Sequence, residues 1–243
     1  MRYAILSDIH GNLEALTAVL NDISKRGVGK IWCLGDIVDY GPDPHACIAL
    51  MRRQKHVTVA GNHDLAALNM IGTADFHPDA VVANSWTREQ LQQADLDFLA
   101  SLPSDIEEGE FTLVHSSPRD PIWEYIKSVD IAKNNLPYFK SPFCLIGHTH
   151  KPVIFRCPDN NSCSEVEFPL EVDFALEGGR LFLNPGSVGQ PRDGDPRASY
   201  AIYDSDTKSI RLCRIPYDIA ATQSKMLKVK LPPGLITRLS YGL

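Results

Sequence analysis

The sequence predicts an α/β (α+β) fold with two packed, mixed β-sheets and helices on the outside. Two observations support this class. Strand and helix patterns alternate in the first half of the 243 residues, and short strand patterns separated by turn residues fill the second half. Alternating elements are typical of a largely parallel sheet covered by helices, and short strands joined by turns are typical of a meander. We therefore expect a single domain spanning 1–243.

In the first half, each strand pattern is followed by a helical one. YAILS is a short apolar strand, and the amphipathic helix after it ends at Gly27. KIWCL and HVTVA are the next two strands, and the helix between them is entered through Pro42 or Pro44. Helical patterns continue over about 65–102, before FTLVH returns to strand. The pattern predicts a parallel βαβαβ unit with an added helical segment.

The second half begins with a helical or irregular piece around 122–136. The strand patterns FCLIG, PVIFRC, EVEFPLE, RLFLN, SYAIYD and SIRLCRI follow, and a helix-like tail begins at Asp218. We interpret about 157–178 as a β insertion and, like the helical segment of about 65–102, as an elaboration of the same domain.

Composition excludes some classes of function. The chain has 24 Lys and Arg against 30 Asp and Glu, a net charge of -6, which argues against a general nucleic-acid or anionic membrane surface. Asp8 comes too early for the apolar region of a signal peptide, and no apolar run approaches the roughly 20 residues of a membrane span. We therefore expect a soluble, cytoplasmic protein.

The six cysteines contain no C-x-x-C pair. Cys157 and Cys163 flank the loop PDNNS and could bridge, but free thiols are the favoured interpretation for an intracellular chain.

Five apolar runs end in side chains that can bind metals. They are YAILSDIH, IWCLGDIVD, VTVAGNHD, FTLVHSSP and FCLIGHTH. Sites in open α/β sheets form beyond the carboxyl ends of strands, so these residues are expected to converge. Asp8 and His10 lie two apart, so they point the same way in an extended chain and can share a cation. The remaining histidines are expected to be surface or packing residues: His45, His56 and His77.

The ordered motifs D-x-H, G-D-x-x-D, G-N-H-D, a later His and G-H-T-H together resemble the calcineurin-like metallophosphoesterase superfamily. FLNPGSVGQPRDGDPRASYAIYD resembles the continuation in its small bacterial and archaeal phosphodiesterase branch. The resemblance implies a four-layer αββα sandwich and two divalent metal ions. It assigns one ion to Asp8, His10, Asp36 and His150, and the second to Asp36, Asn62, His115 and His148.

This donor set contains nitrogen and oxygen but no thiolate, so it suits Mn, Fe, Zn, Ni or Co. Paired ions of this kind activate a bridging hydroxide for attack on phosphorus. The resemblance thus implies hydrolysis of phosphodiester bonds in a small phosphorylated substrate, such as a nucleotide. His63 would contact the substrate and assist the leaving oxygen, and Asp39 would orient His63 and raise its pKa. A pair that only stabilises the loop is the alternative.

Three further residues have two interpretations each. Arg192 could bind a phosphate, but a salt bridge within its loop is favoured. Trp123 and Tyr125 could form the wall of a substrate cleft or pack in the ordinary way. Lys225 is expected on a solvated helix face.

Departures from the family pattern bear on the substrate. Tyr40 and Asp64 stand where protein phosphatases of the superfamily have Arg and Glu. The missing Arg removes a cation that a doubly charged monoester would use, and the site charge of about +1 that remains with two ions bound matches a diester. A dinucleoside polyphosphate hydrolase and a serine/threonine protein phosphatase-like phosphomonoesterase remain alternatives. A non-enzymatic scaffold is disfavoured because all seven ligands are present.

Overall fold

A computed structural model describes residues 1–243. In chain order the strands are β1 (Arg2–Leu6), β2 (Val28–Cys33), β3 (His56–Thr58), β4 (Asp105–Glu108), β5 (Phe111–Val114), β6 (Phe143–Leu145), β7 (Pro152–Cys157), β8 (Ser164–Val166), β9 (Phe174–Ala175), β10 (Arg180–Pro185), β11 (Ala198–Asp204) and β12 (Ser209–Ile215). The helices are α1 (Leu13–Lys25), α2 (Pro44–Arg52), α3 (Asn62–Ala67), α4 (Pro78–Gln90), α5 (Gln93–Ala100), α6 (Val129–Asn135), α7 (Ile219–Lys228) and α8 (Pro233–Arg238). None of these helices has the length and hydrophobicity that a membrane span requires.

Each of the two sheets has six strands. The first has the order β3-β2-β1-β11-β12-β9, and the second has the order β4-β5-β6-β10-β7-β8. β1, β2 and β3 are parallel, as are β5, β6 and β10, and the other pairings are antiparallel. Because parallel strands end at the same edge of a sheet, the polar residues that follow β1, β2, β3, β5 and β6 lie at one edge.

Alternation along the strands builds the layers. In β1, Ala4 and Leu6 pack toward α1 and α2, whereas Ile5 packs against the second sheet. This is the two-residue period expected when both faces of a sheet are buried. On the far side of the second sheet, Phe182 and its neighbours pack against Ala132 of α6. The predicted fold class of two mixed sheets flanked by helices is therefore confirmed.

Some elements differ from the sequence expectations. The EVEFPLE pattern is a strand only over β8, whereas the piece around 122–136, expected to be helical or irregular, is irregular up to α6 and helical within it. The expectation that Cys157 and Cys163 remain free thiols is wrong, because the two residues form a disulfide. β7 and β8 pair antiparallel on either side of the PDNNS loop, which brings the Cα atoms of the two cysteines to 4.1 Å.

Lys225, expected on a solvated helix face, instead forms two ion pairs. Its Nζ lies 2.5 Å from Glu14 Oε1 and 2.8 Å from Asp43 Oδ2.

Candidate metal centre

The predicted site residues lie at one edge of the two sheets. Asp8 and His10 follow β1, Asp36 and Asp39 follow β2, and His115 follows β5. The G-N-H-D motif begins α3, and the G-H-T-H motif follows β6. All nine predicted metal and catalytic residues are buried, with at most 6% of any residue exposed.

Six of these residues have a left-handed backbone, which is uncommon for any residue except glycine. They are Asp8 (φ 55°), His10 (φ 49°), Asp36 (φ 54°), Asp39 (φ 75°), His148 (φ 63°) and His150 (φ 59°). Such conformations cost about 1–3 kcal/mol each and persist where the surroundings enforce them. Here Gly61 is part of those surroundings, because a Cβ at this position would lie 2.0 Å from Asp36 Oδ1.

The first cluster of ligand atoms consists of Asp8, His10 and His150. His150 Nε2 lies 3.2 Å from both Asp8 Oδ1 and His10 Nε2. His10 Nε2 lies 3.8 Å from Asp8 Oδ1. All three side chains therefore direct a donor atom to the same point.

The second cluster consists of Asp36, His115 and His148, with Asn62 beside it. His115 Nε2 lies 3.2 Å from Asp36 Oδ2, from His148 Nδ1 and from Asn62 Oδ1. Asp36 Oδ2 is also 3.7 Å from His10 Nε2 of the first cluster. This one oxygen therefore lies between the two clusters.

The arrangement fits two divalent ions. Ligands about 2.1 Å from a common ion, at tetrahedral or octahedral angles, lie about 3.0–3.4 Å from one another. The closest pairs in both clusters are separated by 3.2 Å. Asp8 Oδ1 and Asp36 Oδ2 are also buried with no hydrogen-bond partner. A carboxylate oxygen is costly to bury in that state unless a cation is bound.

Backbone carbonyls orient three of the four imidazoles. His10 Nδ1 lies 3.1 Å from Val38 O, His115 Nδ1 lies 2.7 Å from Leu34 O, and His150 Nδ1 lies 2.6 Å from Gln190 O. A carbonyl only accepts, so Nδ1 must donate, and the lone pair is on the Nε2 atom that faces the cluster. Burial also lowers the pKa of His10, His148 and His150 well below the usual value, which keeps these rings neutral. Neutral imidazole is the form that binds metals.

His63 and Asp39 form a buried pair beside the clusters, with the His63 ring 5.0 Å from the ring of His10. His63 Nδ1 donates to Asp39 Oδ2 at 2.6 Å, and Asn84 Nδ2 donates to the same oxygen at 3.1 Å. Burial opposes the charged form of His63, but the carboxylates of Asp36 and Asp39 outweigh it and raise the pKa of His63. This arrangement leaves Nε2 of His63 as the free nitrogen of the ring.

A cavity of about 660 Å³ opens beside Asn62 and His63. Its walls include the aromatic rings of Tyr40, Phe76, Trp123 and Tyr125, together with the guanidinium groups of Arg192 and Arg238. Phe76 and Trp123 meet edge to face, with ring centroids 5.8 Å apart. The structure thus places Trp123 and Tyr125 on the wall of a cleft, which was one of their two interpretations.

Arg192 does not form the salt bridge expected within its loop. Its Nη2 instead donates to Gln190 Oε1 at 2.7 Å, and its guanidinium lies 5.7 Å from the centre of the Tyr40 ring. The nearby loop offers a neutral amide at bonding distance, so the positive charge remains uncompensated. His77, expected to be a surface or packing residue, is exposed and lies on the rim of the cavity.

Three residues with a part in this centre were missed by the sequence interpretation. Asn84 of α4 supports Asp39, and Arg238 of α8 lines the cavity. Asp64 accepts hydrogen bonds from the backbone N–H groups of Asp36, Ile37, Val38 and Gly61. Only Asp64 had a signal, its place in the G-N-H-D motif, because a turn next to ligands needs an acceptor for its exposed amides.

The fold and the site together define a known class of protein. Residues 1–208 match the calcineurin-like phosphoesterase superfamily domain, and the chain belongs to that superfamily. The resemblance predicted from the ordered motifs is therefore confirmed.

Three relatives support this placement. A metallophosphoesterase from Sphaerobacter thermophilus has a crystal structure that superposes with a TM-score of 0.91 and 44% identity, covering 100% of this chain and 99% of that one. The uncharacterized protein MJ0912 of Methanocaldococcus jannaschii is 40% identical over 244 residues, covering 98% of this chain and 97% of its own. Phosphodiesterase YfcE of Escherichia coli is 27% identical over 217 residues, covering 86% of this chain and 91% of its own.

Proposed function

We propose that this chain is a dinuclear, metal-dependent phosphoesterase that hydrolyses phosphodiester bonds of a small phosphorylated substrate. The observation that carries the proposal is the position of Asp36 Oδ2. This buried, unpartnered oxygen lies 3.2 Å from His115 Nε2 of one cluster and 3.7 Å from His10 Nε2 of the other. A carboxylate so placed can bridge two ions, and phosphoesterase ion pairs lie about 3.5–4 Å apart.

Seven residues would hold the ions: Asp8, His10, Asp36 and His150 for one, and Asp36, Asn62, His115 and His148 for the other. The nitrogen and oxygen donors suit Mn, Fe, Zn, Ni or Co. When bound, the two ions supply an acidified water as nucleophile and neutralise charge on the phosphate oxygens.

His63 would donate a proton from Nε2 to the leaving oxygen. Such a donation requires the doubly protonated imidazolium. Asp39 favours this form because its carboxylate accepts from Nδ1–H and, together with Asp36, raises the pKa of His63, and Asn84 donates to the same carboxylate oxygen. Proton transfer by a positioned imidazole contributes about 10²–10⁴ in rate.

Two features favour a diester as substrate. The cavity beside His63 is lined by the apolar side chains of Phe76, Trp123 and Leu235, which offer contact surface to the organic groups of a diester. The relative YfcE is a phosphodiesterase. The sequence-based reason, that Tyr40 leaves the site without a nearby arginine, does not support this choice, because Arg192 reaches the Tyr40 ring from another loop.

The test is a comparison of substrates with the Mn²⁺-reconstituted protein. We expect kcat/KM for bis-p-nitrophenyl phosphate to exceed that for p-nitrophenyl phosphate, and phosphoserine peptides to be poor substrates. The Asp8→Ala variant, prepared in parallel, controls for contaminating phosphatases. A preference for phosphopeptides over every diester would reject the proposal in favour of a protein phosphatase.

A further inference from the structure

The outer wall of the cavity comes from a part of the chain beyond the matched superfamily domain, which ends at residue 208. Leu235 and Arg238 of α8 line the cavity. α8 is held in place by an apolar cluster in which Leu235, Leu239 and Met226 of α7 pack with Tyr40 and Ala83. The C-terminal helices therefore form a fixed wall beside the metal centre.

Arg238 and Arg192 converge on one buried side chain and are together called the arginine pair here. Gln190 Oε1 accepts from Arg192 Nη2 at 2.7 Å and from Arg238 Nη1 at 3.1 Å. Gln190 is only 1% exposed. A neutral amide satisfies some of the guanidinium donors without cancelling either positive charge, whereas a glutamate at this position would cancel one.

Two carboxylates, Asp75 and Asp79, also line the cavity. Neither forms an ion pair with the arginine pair, and of the two only Asp79 is close enough to raise the pKa of Arg238. Burial and the neighbouring charge of Arg192 lower the pKa of Arg238 from its usual value. Two like charges held together in this way are costly without an anion between or beside them.

The arginine pair is connected directly to the metal centre. The backbone N–H of Arg192 donates to His150 O at 3.2 Å, and Gln190 O accepts from His150 Nδ1 at 2.6 Å. The guanidinium of Arg192 lies near the Tyr40 ring, which itself lies 4.5 Å from the His63 ring. A group bound to the arginine pair would therefore lie close to the phosphorus under attack.

We propose that Arg192 and Arg238 form an anion subsite for a second phosphate of the substrate, one that is not hydrolysed. This inference rests on the proposed function. A simple diester carries one negative charge and would leave both guanidinium groups unpaired, whereas a second phosphate offers oxygens to both. Phe76 and Trp123, on the same cavity, provide surfaces for a flat ring. The substrate class is thus a nucleotide diester with a further phosphate, on the sugar or in a polyphosphate chain.

A matched pair of substrates tests the inference. Thymidine 5′-(p-nitrophenyl phosphate) is compared with the same compound carrying a 3′-phosphate, so that scissile bond and leaving group are identical. If the second phosphate belongs to the sugar, the 3′-phosphate should raise kcat/KM by about 10–100-fold, as charged hydrogen bonds to one further group would. In Arg238→Gln the ratio of the two values should fall to near 1. In Arg53→Gln, an exposed arginine on the far end of α2, it should stay at the wild-type value.

Calorimetry with the metal-loaded protein gives a readout that needs no turnover. Thymidine 3′,5′-bisphosphate and thymidine 5′-diphosphate should each be compared with thymidine 5′-monophosphate. The ligand that gains about 10–100-fold in affinity tells whether the second phosphate belongs to the sugar or to the chain. The gain should disappear in Arg238→Gln and in Gln190→Glu. The second variant places a carboxylate between the two guanidinium groups and changes no residue of α8.

The outcomes separate the two proposals. If no ester is hydrolysed but the calorimetric gain is present and lost in the variants, the proposed function fails and the subsite stands. If diesters are hydrolysed but neither ligand with a second phosphate binds more tightly, or if the gain survives in both variants, the subsite is wrong.

Discussion

Asp36→Asn tests the bridging position of one oxygen. The substitution keeps the shape of the side chain and its Oδ1 atom, which accepts a hydrogen bond from the backbone N–H of His63 at 2.9 Å. It removes only the negative charge. Asp36 Oδ2 lies 3.2 Å from His115 Nε2 and 3.7 Å from His10 Nε2, so it is close to both predicted ions. We therefore expect both ions to bind more weakly.

The magnitude follows from the distances. Two unit charges 4 Å apart interact by about 4 kcal/mol at an effective dielectric constant of about 20, and a ligating carboxylate oxygen lies closer to its ion than that, at about 2.0–2.2 Å. A loss of about 4 kcal/mol corresponds to about a thousand-fold in dissociation constant. Asp36 is completely buried, so solvent water cannot reach this position to compensate for the lost carboxylate charge.

The assay is equilibrium dialysis against graded Mn²⁺ or Zn²⁺, followed by elemental analysis of the protein. Wild type should reach two ions per chain, and Asp36→Asn should need about a thousand-fold more free metal to do so. Asp39→Asn is the matched control, since Asp39 is a buried carboxylate of the same loop that lies in neither cluster. Wild-type affinity in Asp36→Asn would refute the reasoning, and weakening of only one ion would refute the bridge.

Two further predictions concern the residues around this carboxylate. His63→Ala should retain both metals in elemental analysis and lower kcat by about 10²–10⁴, with a smaller loss in Asp39→Asn; loss of metal would instead make His63 a ligand. Gly61→Ala should lower metal content, because its Cβ would lie 2.0 Å from Asp36 Oδ1, whereas Gly72→Ala has no atom within 4 Å of its Cβ and should bind metal normally. Equal metal content in the two glycine variants would show that the loop around Gly61 can move away from Asp36 without weakening metal binding.

The positions of the predicted ligands could be read from the sequence because each follows an apolar run. Such runs become buried strands, and parallel strands bring their carboxyl ends to one edge. The division into two clusters came only from the family resemblance, since spacing along the chain does not tell which strand end faces which. The left-handed backbone of residues such as Asp8 and His148 was equally unpredictable, because only the completed loops enforce it.

Elements at the edges of the sheets were the hardest to predict. β4 and β9 are the outermost strands of the second and first sheet, respectively. β4 has the sequence DIEE, and β9 has only two residues, so neither shows an apolar run. Arg238 was missed for a related reason. Its role depends on the docking of α8 against Tyr40, and such long-range packing leaves no local pattern in the sequence.

An acidic chain can still offer an anion site because the carboxylates at the metal centre already have hydrogen-bond partners or face the ions. Asp64 is occupied by four backbone N–H groups, and Asp39 by His63, Asn84 and the Tyr40 N–H. The free oxygens of Asp8 and Asp36 face the ligand clusters and would be neutralised by the ions. Asp75 and Asp79 also line the cavity but form no ion pair with the arginine pair, so the positive charges of the ions and of the arginine pair remain available to an anion. The net charge of -6 is therefore no guide to the ligand, because the local field inside a buried site is set by which charges have partners.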